Sequence, residues 1–178
     1  MSSARLDAAH ADLVSVLRRH HNGVRTFLLL CGAGLEEANA AVRVAYAEAN
    51  DLVFRDQKAW KKLPDPGLWL RKAAFNAWQY PPGSVLRGVT ASVPAVIPAV
   101  MPAGIELAEV IGPALTLAVA ELHGAQRVAI ALELGGYRPE EIGGFLGLRA
   151  REVDDLMAEA RVALKDGWAA YRAPGGEM

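Results

Sequence analysis

The sequence predicts an all-α fold, two small helical domains joined by a proline-rich linker, on three observations. Apolar residues recur at the three- and four-residue spacing of amphipathic helices along most of the chain, and no stretch alternates convincingly as a strand would. Residues 81–104 interrupt that rhythm with prolines at 94, 98 and 102, which no continuous helix accommodates. Residues 121–167 then read as helix, glycine turn, short helix, glycine turn and longer amphipathic helix, the order of a helix-turn-helix. The boundaries that follow are an N-terminal three-helix domain over 1–80, a Pro/Val/Ala-rich linker over 81–104, and a C-terminal helix-turn-helix domain over 105–178.

The first helix spans about Ala4 to Cys31, with Leu6, Ala9, Leu13, Val16 and Leu17, then Val24, Phe27 and Leu28 at helical spacing. Asn22-Gly23 weakens its middle and suggests a break or bend. Cys31-Gly32-Ala33-Gly34 reads as an interhelical turn. A dinucleotide-binding loop would need a third glycine where Glu37 stands, and strand-helix alternation after it. The second helix, about Leu35 to Ala49, gathers Ala38, Ala41, Val42, Ala45 and Ala49 on one small-residue face suited to close packing.

From Asn50 to Asp65 basic and aromatic residues interleave: Phe54, Arg55, Lys58, Trp60, Lys61 and Lys62. The first reading is a solvated loop whose aromatics tuck into the core. The second is a single-stranded nucleic-acid surface, with bases stacked on rings and phosphates on lysines. Asp65-Pro66 is a helix cap followed by a first-turn proline. The third helix, about Gly67 to Gln79, turns Leu70, Ala73, Ala74 and Ala77 inward and Trp69, Lys72, Asn76 and Gln79 outward, with Arg71 on a border. The proline-rich linker reads as extended. A helix with a bend at Gly112-Pro113 then occupies about Ile105 to Leu122. Gly135-Gly136 ends the next helix, Pro139 opens a short one, and Gly147-Leu148 closes it. The last helix runs from about Ala150 to Gly167, with Val153, Leu156, Met157, Ala160 and Leu164 on its inner face.

Charge is distributed unevenly. The formal net charge is −1, which removes the overall basic excess of a general nucleic-acid binder. Residues 1–80 nevertheless hold 11 Lys/Arg against 8 Asp/Glu, while residues 121–166 hold 6 against 9. The single cysteine, Cys31, lies in an apolar run and reads as a buried structural thiol. No signal-peptide pattern opens the chain and no 18-residue apolar run occurs in it, so a cytoplasmic protein without membrane contact is expected. The four histidines lack metal-ligand spacing, and no nucleophile motif, phosphate loop or zinc cluster is present. Neither enzyme activity nor a metal, cofactor or small-molecule ligand is expected.

The parts, taken in order, resemble RNA polymerase sigma factors of the small two-domain extracytoplasmic-function type, over nearly the whole chain. The resemblance rests on the opening helix and turn through residue 34 and on Trp69, Leu70, Arg71 and Asn76 within GLWLRKAAFNAWQ. In the C-terminal half it rests on Gly136, Glu141, Ile142, Leu146, Gly147, Val153, Ala160, Arg161 and Leu164. It implies a role in transcription initiation. The first domain would grip the polymerase clamp and melt promoter DNA, the second would read an upstream element and touch the polymerase flap, and anti-sigma proteins would bind both. The DNA-facing residues of the first domain would be Arg55, Lys58, Trp60, Lys61, Lys62, Trp69, Arg71, Lys72 and Asn76. Those of the helix-turn-helix would be Arg149, Arg151, Arg161 and Lys165.

The sequence departs from that pattern at two places. Asn39, Ala40, Arg43 and Val44 stand where acidic or glutamine residues usually meet the clamp. Asp154 and Asp155, flanked by Glu152 and Glu159, stand on the helix that should approach phosphate, and each carboxylate there opposes binding to a polyanion. Two readings follow. One is a divergent sigma factor that binds polymerase core and promoter DNA. The other is a sigma-like interaction module. Its acidic Glu152, Asp154, Asp155 and Glu159 would engage an anti-sigma factor, another sigma factor, a basic regulator or polymerase itself.

Overall fold

The computed structural model describes residues 3–81 and 118–172, with side chains from 10 to 81 and from 118 to 165. The fold is all-α, as expected, with no strand among the described residues. In chain order the helices are α1 (Ser3–Cys31), α2 (Leu35–Arg55), α3 (Gln57–Lys61), α4 (Pro66–Gln79), α5 (Gly124–Leu134), α6 (Pro139–Leu146) and α7 (Ala150–Arg172). The chain divides into two compact units, Met1–Leu28 with Glu36–Val89, and Leu29–Leu35 with Thr90–Met178. The expected linker and most of the helix expected at 105–122 lie outside the described residues.

In the first unit, α1 runs through Asn22-Gly23 without a break, contrary to expectation. A methyl group on Gly23 would lie 2.6 Å from Arg71 Nη2, so the glycine admits the α4 guanidinium against α1. Tyr46 of α2 donates its hydroxyl proton to the Leu17 carbonyl (3.1 Å) and lies 2.9 Å from His21 Nδ1. With its one proton spent, the hydroxyl accepts from His21, which fixes the Nδ1–H tautomer. Phe27 and Phe75 join α1 to α4 at a ring separation of 6.1 Å, and Trp78 Nε1–H donates to Glu37 of α2 at 3.2 Å. The small-residue face of α2 is buried as its spacing requires: Ala38, Ala41, Val42, Ala45 and Ala49.

The stretch expected to be a loop, Asn50 to Asp65, is largely helical. α2 extends to Arg55, where the Arg55 guanidinium meets Asp51 one turn back at 2.9 Å. Asp56 then restarts the chain as α3 by accepting from the Ala59 N–H at 3.0 Å. α4 starts as its sequence foretells: Asp65 accepts from the Leu68 N–H at 3.0 Å, and Pro66 occupies the first turn.

In the second unit α5, α6 and α7 pack on one another. Val128, Leu132, Ile142, Phe145, Val153, Met157 and Ala160 form the core among them. Leu156 and Leu164, expected inside, are half-buried at its margin. Helix α7 continues past Gly167, where the sequence suggested its end, to Arg172. Cys31 and Ala33 are also fully buried, and burial drives the Cys31 thiol well above its ordinary pKa, which leaves it protonated.

Candidate functional site

The α6–α7 turn is built from backbone requirements that the sequence meets residue by residue. Pro139 and the acidic Glu140-Glu141 open α6, where the backbone N–H that proline lacks is not needed and carboxylates favour the helix dipole. Glu141 reaches back to the Arg138 N–H at 2.9 Å. Gly147 stops α6 in the left-handed region (φ 73°), and the Leu148 N–H returns to the Gly143 carbonyl at 2.9 Å. α7 begins with a cap of its own, Glu152 accepting from the Arg149 N–H at 2.7 Å. Cap and core together leave the first turns of α7 facing solvent with Arg151, Glu152, Asp154, Asp155, Ala158 and Glu159 exposed.

The four expected phosphate-facing cations of this unit differ in what holds them. Arg149 and Arg151 are exposed at the start of α7, and Lys165 is exposed about four turns on. Arg161 pairs with Glu133 of α5, so its charge is partly spent inside the unit. Among the expected protein-facing acids, Glu159 receives a weak bond from Gln126 Nε2 at 3.4 Å, and Glu152 serves the cap. Asp154 and Asp155 have no hydrogen-bond or ion-pair partner among the described residues. The outer face of α7 thus shows uncompensated negative charge in its second turn, with Arg151 as the neighbouring cation.

Sequence reasoning missed Arg127. It lies inside the second unit and donates from Nη2 to the carbonyls of Ala120 (2.7 Å) and Leu122 (3.1 Å), which ties the segment before α5 to that helix. Its Nε and Nη1 are buried without a hydrogen-bond partner, and burial lowers its pKa. The only sequence signal is an arginine in an otherwise apolar stretch, which does not say where the side chain goes.

In the first unit the nine expected DNA-facing residues divide into surface and interior. Lys58, Lys61 and Lys62 project from α3 and its end, and Arg55 and Lys72 are also exposed. Trp69 and Asn76 are half-buried. Trp60 is 2% exposed and packs edge-on against Trp69, with centroids 6.1 Å apart. Arg71 is 7% exposed and donates to the Gly67 carbonyl at 3.2 Å. Neither Trp60 nor Arg71 therefore offers a stacking face or a free fork at the surface. The reading in which the aromatics of 50–65 tuck into the core holds for Trp60 but not for Phe54, which is 53% exposed. A cleft of about 350 Å³ between α1 and α2 is lined by Val14, Leu17, Arg18, His21, Asn22 and Tyr46.

Among the described residues no cluster of three potential metal ligands occurs, and no helix is long and apolar enough to cross a membrane. No family model, curated protein or solved structure matches the chain.

Proposed function

We propose that the chain acts in the cytoplasm as a sigma-factor-like regulator of transcription initiation, not as an enzyme, and binds RNA polymerase core, promoter DNA or both. The observation that carries this reading is the α5–α6–α7 unit. Its glycine-stopped turn delivers a capped helix whose N-terminal turns face solvent, the arrangement by which helix-turn-helix proteins approach the major groove. Core-polymerase pull-down and fluorescence anisotropy on promoter DNA at two salt concentrations test it. Retention on polymerase, or DNA binding that weakens with salt, is the expected result. Failure of both sinks it.

One observation favours a second reading, a sigma-like protein-interaction module with little DNA affinity. Asp154 and Asp155 are exposed without partners among the described residues, while Arg161 is engaged by Glu133. On this reading the acidic face of α7 binds an anti-sigma factor, another sigma factor or a basic transcription regulator. The double substitution Asp154→Lys with Asp155→Ser separates the two. A DNA reader gains roughly tenfold or more in affinity at low salt as phosphate repulsion disappears. A protein-binding face instead loses its captured partner and gains no DNA affinity.

A further inference from the structure

Two surfaces of this chain carry charged side chains that have no hydrogen-bond or ion-pair partner among the described residues, with Arg151 the cation nearest the acidic one. On the first unit, Lys58, Lys61 and Lys62 are exposed, with no hydrogen-bond or ion-pair partner among the described residues. The nearby carboxylates are occupied, Asp51 by Arg55 and Asp56 by the cap of α3. Phe54, in the last turn of α2, is 53% exposed. On the second unit, Asp154 and Asp155 face solvent from α7, and Val162, two turns beyond Asp155 on the same stripe, is 61% exposed. Each surface thus pairs an exposed apolar side chain with unneutralised charge, and the signs are opposite.

We propose that the outer face of α7 docks the α2–α3 corner of a second copy of this chain, with Asp154 and Asp155 against Lys58, Lys61 and Lys62 and with Val162 and Phe54 as the apolar contacts. This goes beyond the transcription reading and does not depend on it. Opposite patches steer encounter and fix register, and apolar side chains beside them supply area that charge alone does not. The contact joins two different surfaces, so each copy offers one of each. A net charge of −1 leaves little overall repulsion between copies.

Sedimentation equilibrium of the full chain, purified free of nucleic acid, tests the contact. The wild type is expected to gain mass with concentration at low salt and to weaken by about tenfold or more near 1 M salt, where the screening length falls to roughly 3 Å. Lys58→Glu/Lys61→Glu/Lys62→Glu and Asp154→Lys/Asp155→Lys, with folding checked by circular dichroism, should each be monomeric alone. Mixed one to one they should associate again, because the reversed corner of one then meets the reversed helix of the other. That rescue cannot come from misfolding. A wild type that stays monomeric at low salt, or variants that fail to associate on mixing, overturns the proposal. So does a monomeric wild type whose lysine variant loses only DNA binding, which would assign the corner to DNA.

Discussion

Gly143 sits where an added methyl group would meet the Leu148 carbonyl oxygen at 2.6 Å, whereas the same group on Gly144 would meet nothing within 4 Å. The two neighbours therefore respond in opposite ways. Gly143→Ala forces backbone apart at the α6–α7 turn and should lower stability by about 1–3 kcal/mol. Gly144→Ala adds helix propensity on an exposed position and should raise it by about 0.5–1 kcal/mol. Urea midpoints of the two variants, compared at equal slope, check both signs. His20 gives a pH prediction. Burial, and then the charge of Arg71, lower its pKa, Asp65 opposes and Arg19 adds to the lowering. A depressed histidine means that the unfolded chain takes up the proton first as pH falls below about 6.5. Stability contributed by neutral His20 is thus full above that pH and lost below it. The wild type should lose more stability between pH 7 and pH 5 than His20→Gln does, as thermal midpoints at the two pH values will show. In the sequence His20 is one of four histidines without metal-ligand spacing. Its setting depends on Gly67, where a methyl group would lie 2.6 Å from the His20 ring, and such an approach leaves no mark on helical spacing.

At the scale of elements, what was legible follows local chemistry. The Asp65-Pro66 start of α4, the Gly147 stop of α6 and the buried face of α2 were all readable, because caps, left-handed turns and 3.6-residue spacing act within a few residues. Asp65→Ala should cost about 1 kcal/mol, since the Leu68 N–H then loses its partner, and a denaturation midpoint measures it. What was illegible depends on the rest of the fold. The five residues of α3 are too few to show a period, and their helix rests on the Asp56 cap and on burial of Trp60. Arg71 stood on the border of α4 by spacing alone and goes inside because Gly23 makes room for it. The Arg161–Glu133 pair joins residues 28 apart, so no local rule announces that this cation is partly spent. Both groups are well exposed, and Arg161→Ala should shift stability by no more than about 1 kcal/mol. A much larger loss would mean that the pair does more than bridge two helices at their surface.

For the molecule as a whole, the uneven charge seen in the sequence becomes two exposed surfaces, lysines on α3 and aspartates on α7. The all-α class and the helix-turn-helix order came directly from periodicity and glycine placement. Nothing in residues 29–35 indicated that they group with the C-terminal unit, because that grouping depends on which backbone segments come together in the fold and not on composition. The first unit also has an optical consequence. Trp60 and Trp69 lie 6.1 Å apart at 86°, and Trp78 stacks edge-on with Phe75 at 5.7 Å. Indoles held this close and nearly perpendicular couple their excited states, so the near-ultraviolet dichroism that Trp60, Trp69 and Trp78 contribute follows the packing of this unit. A titrant that perturbs the α3 corner will register in that light, while the backbone signal reports helix throughout the chain.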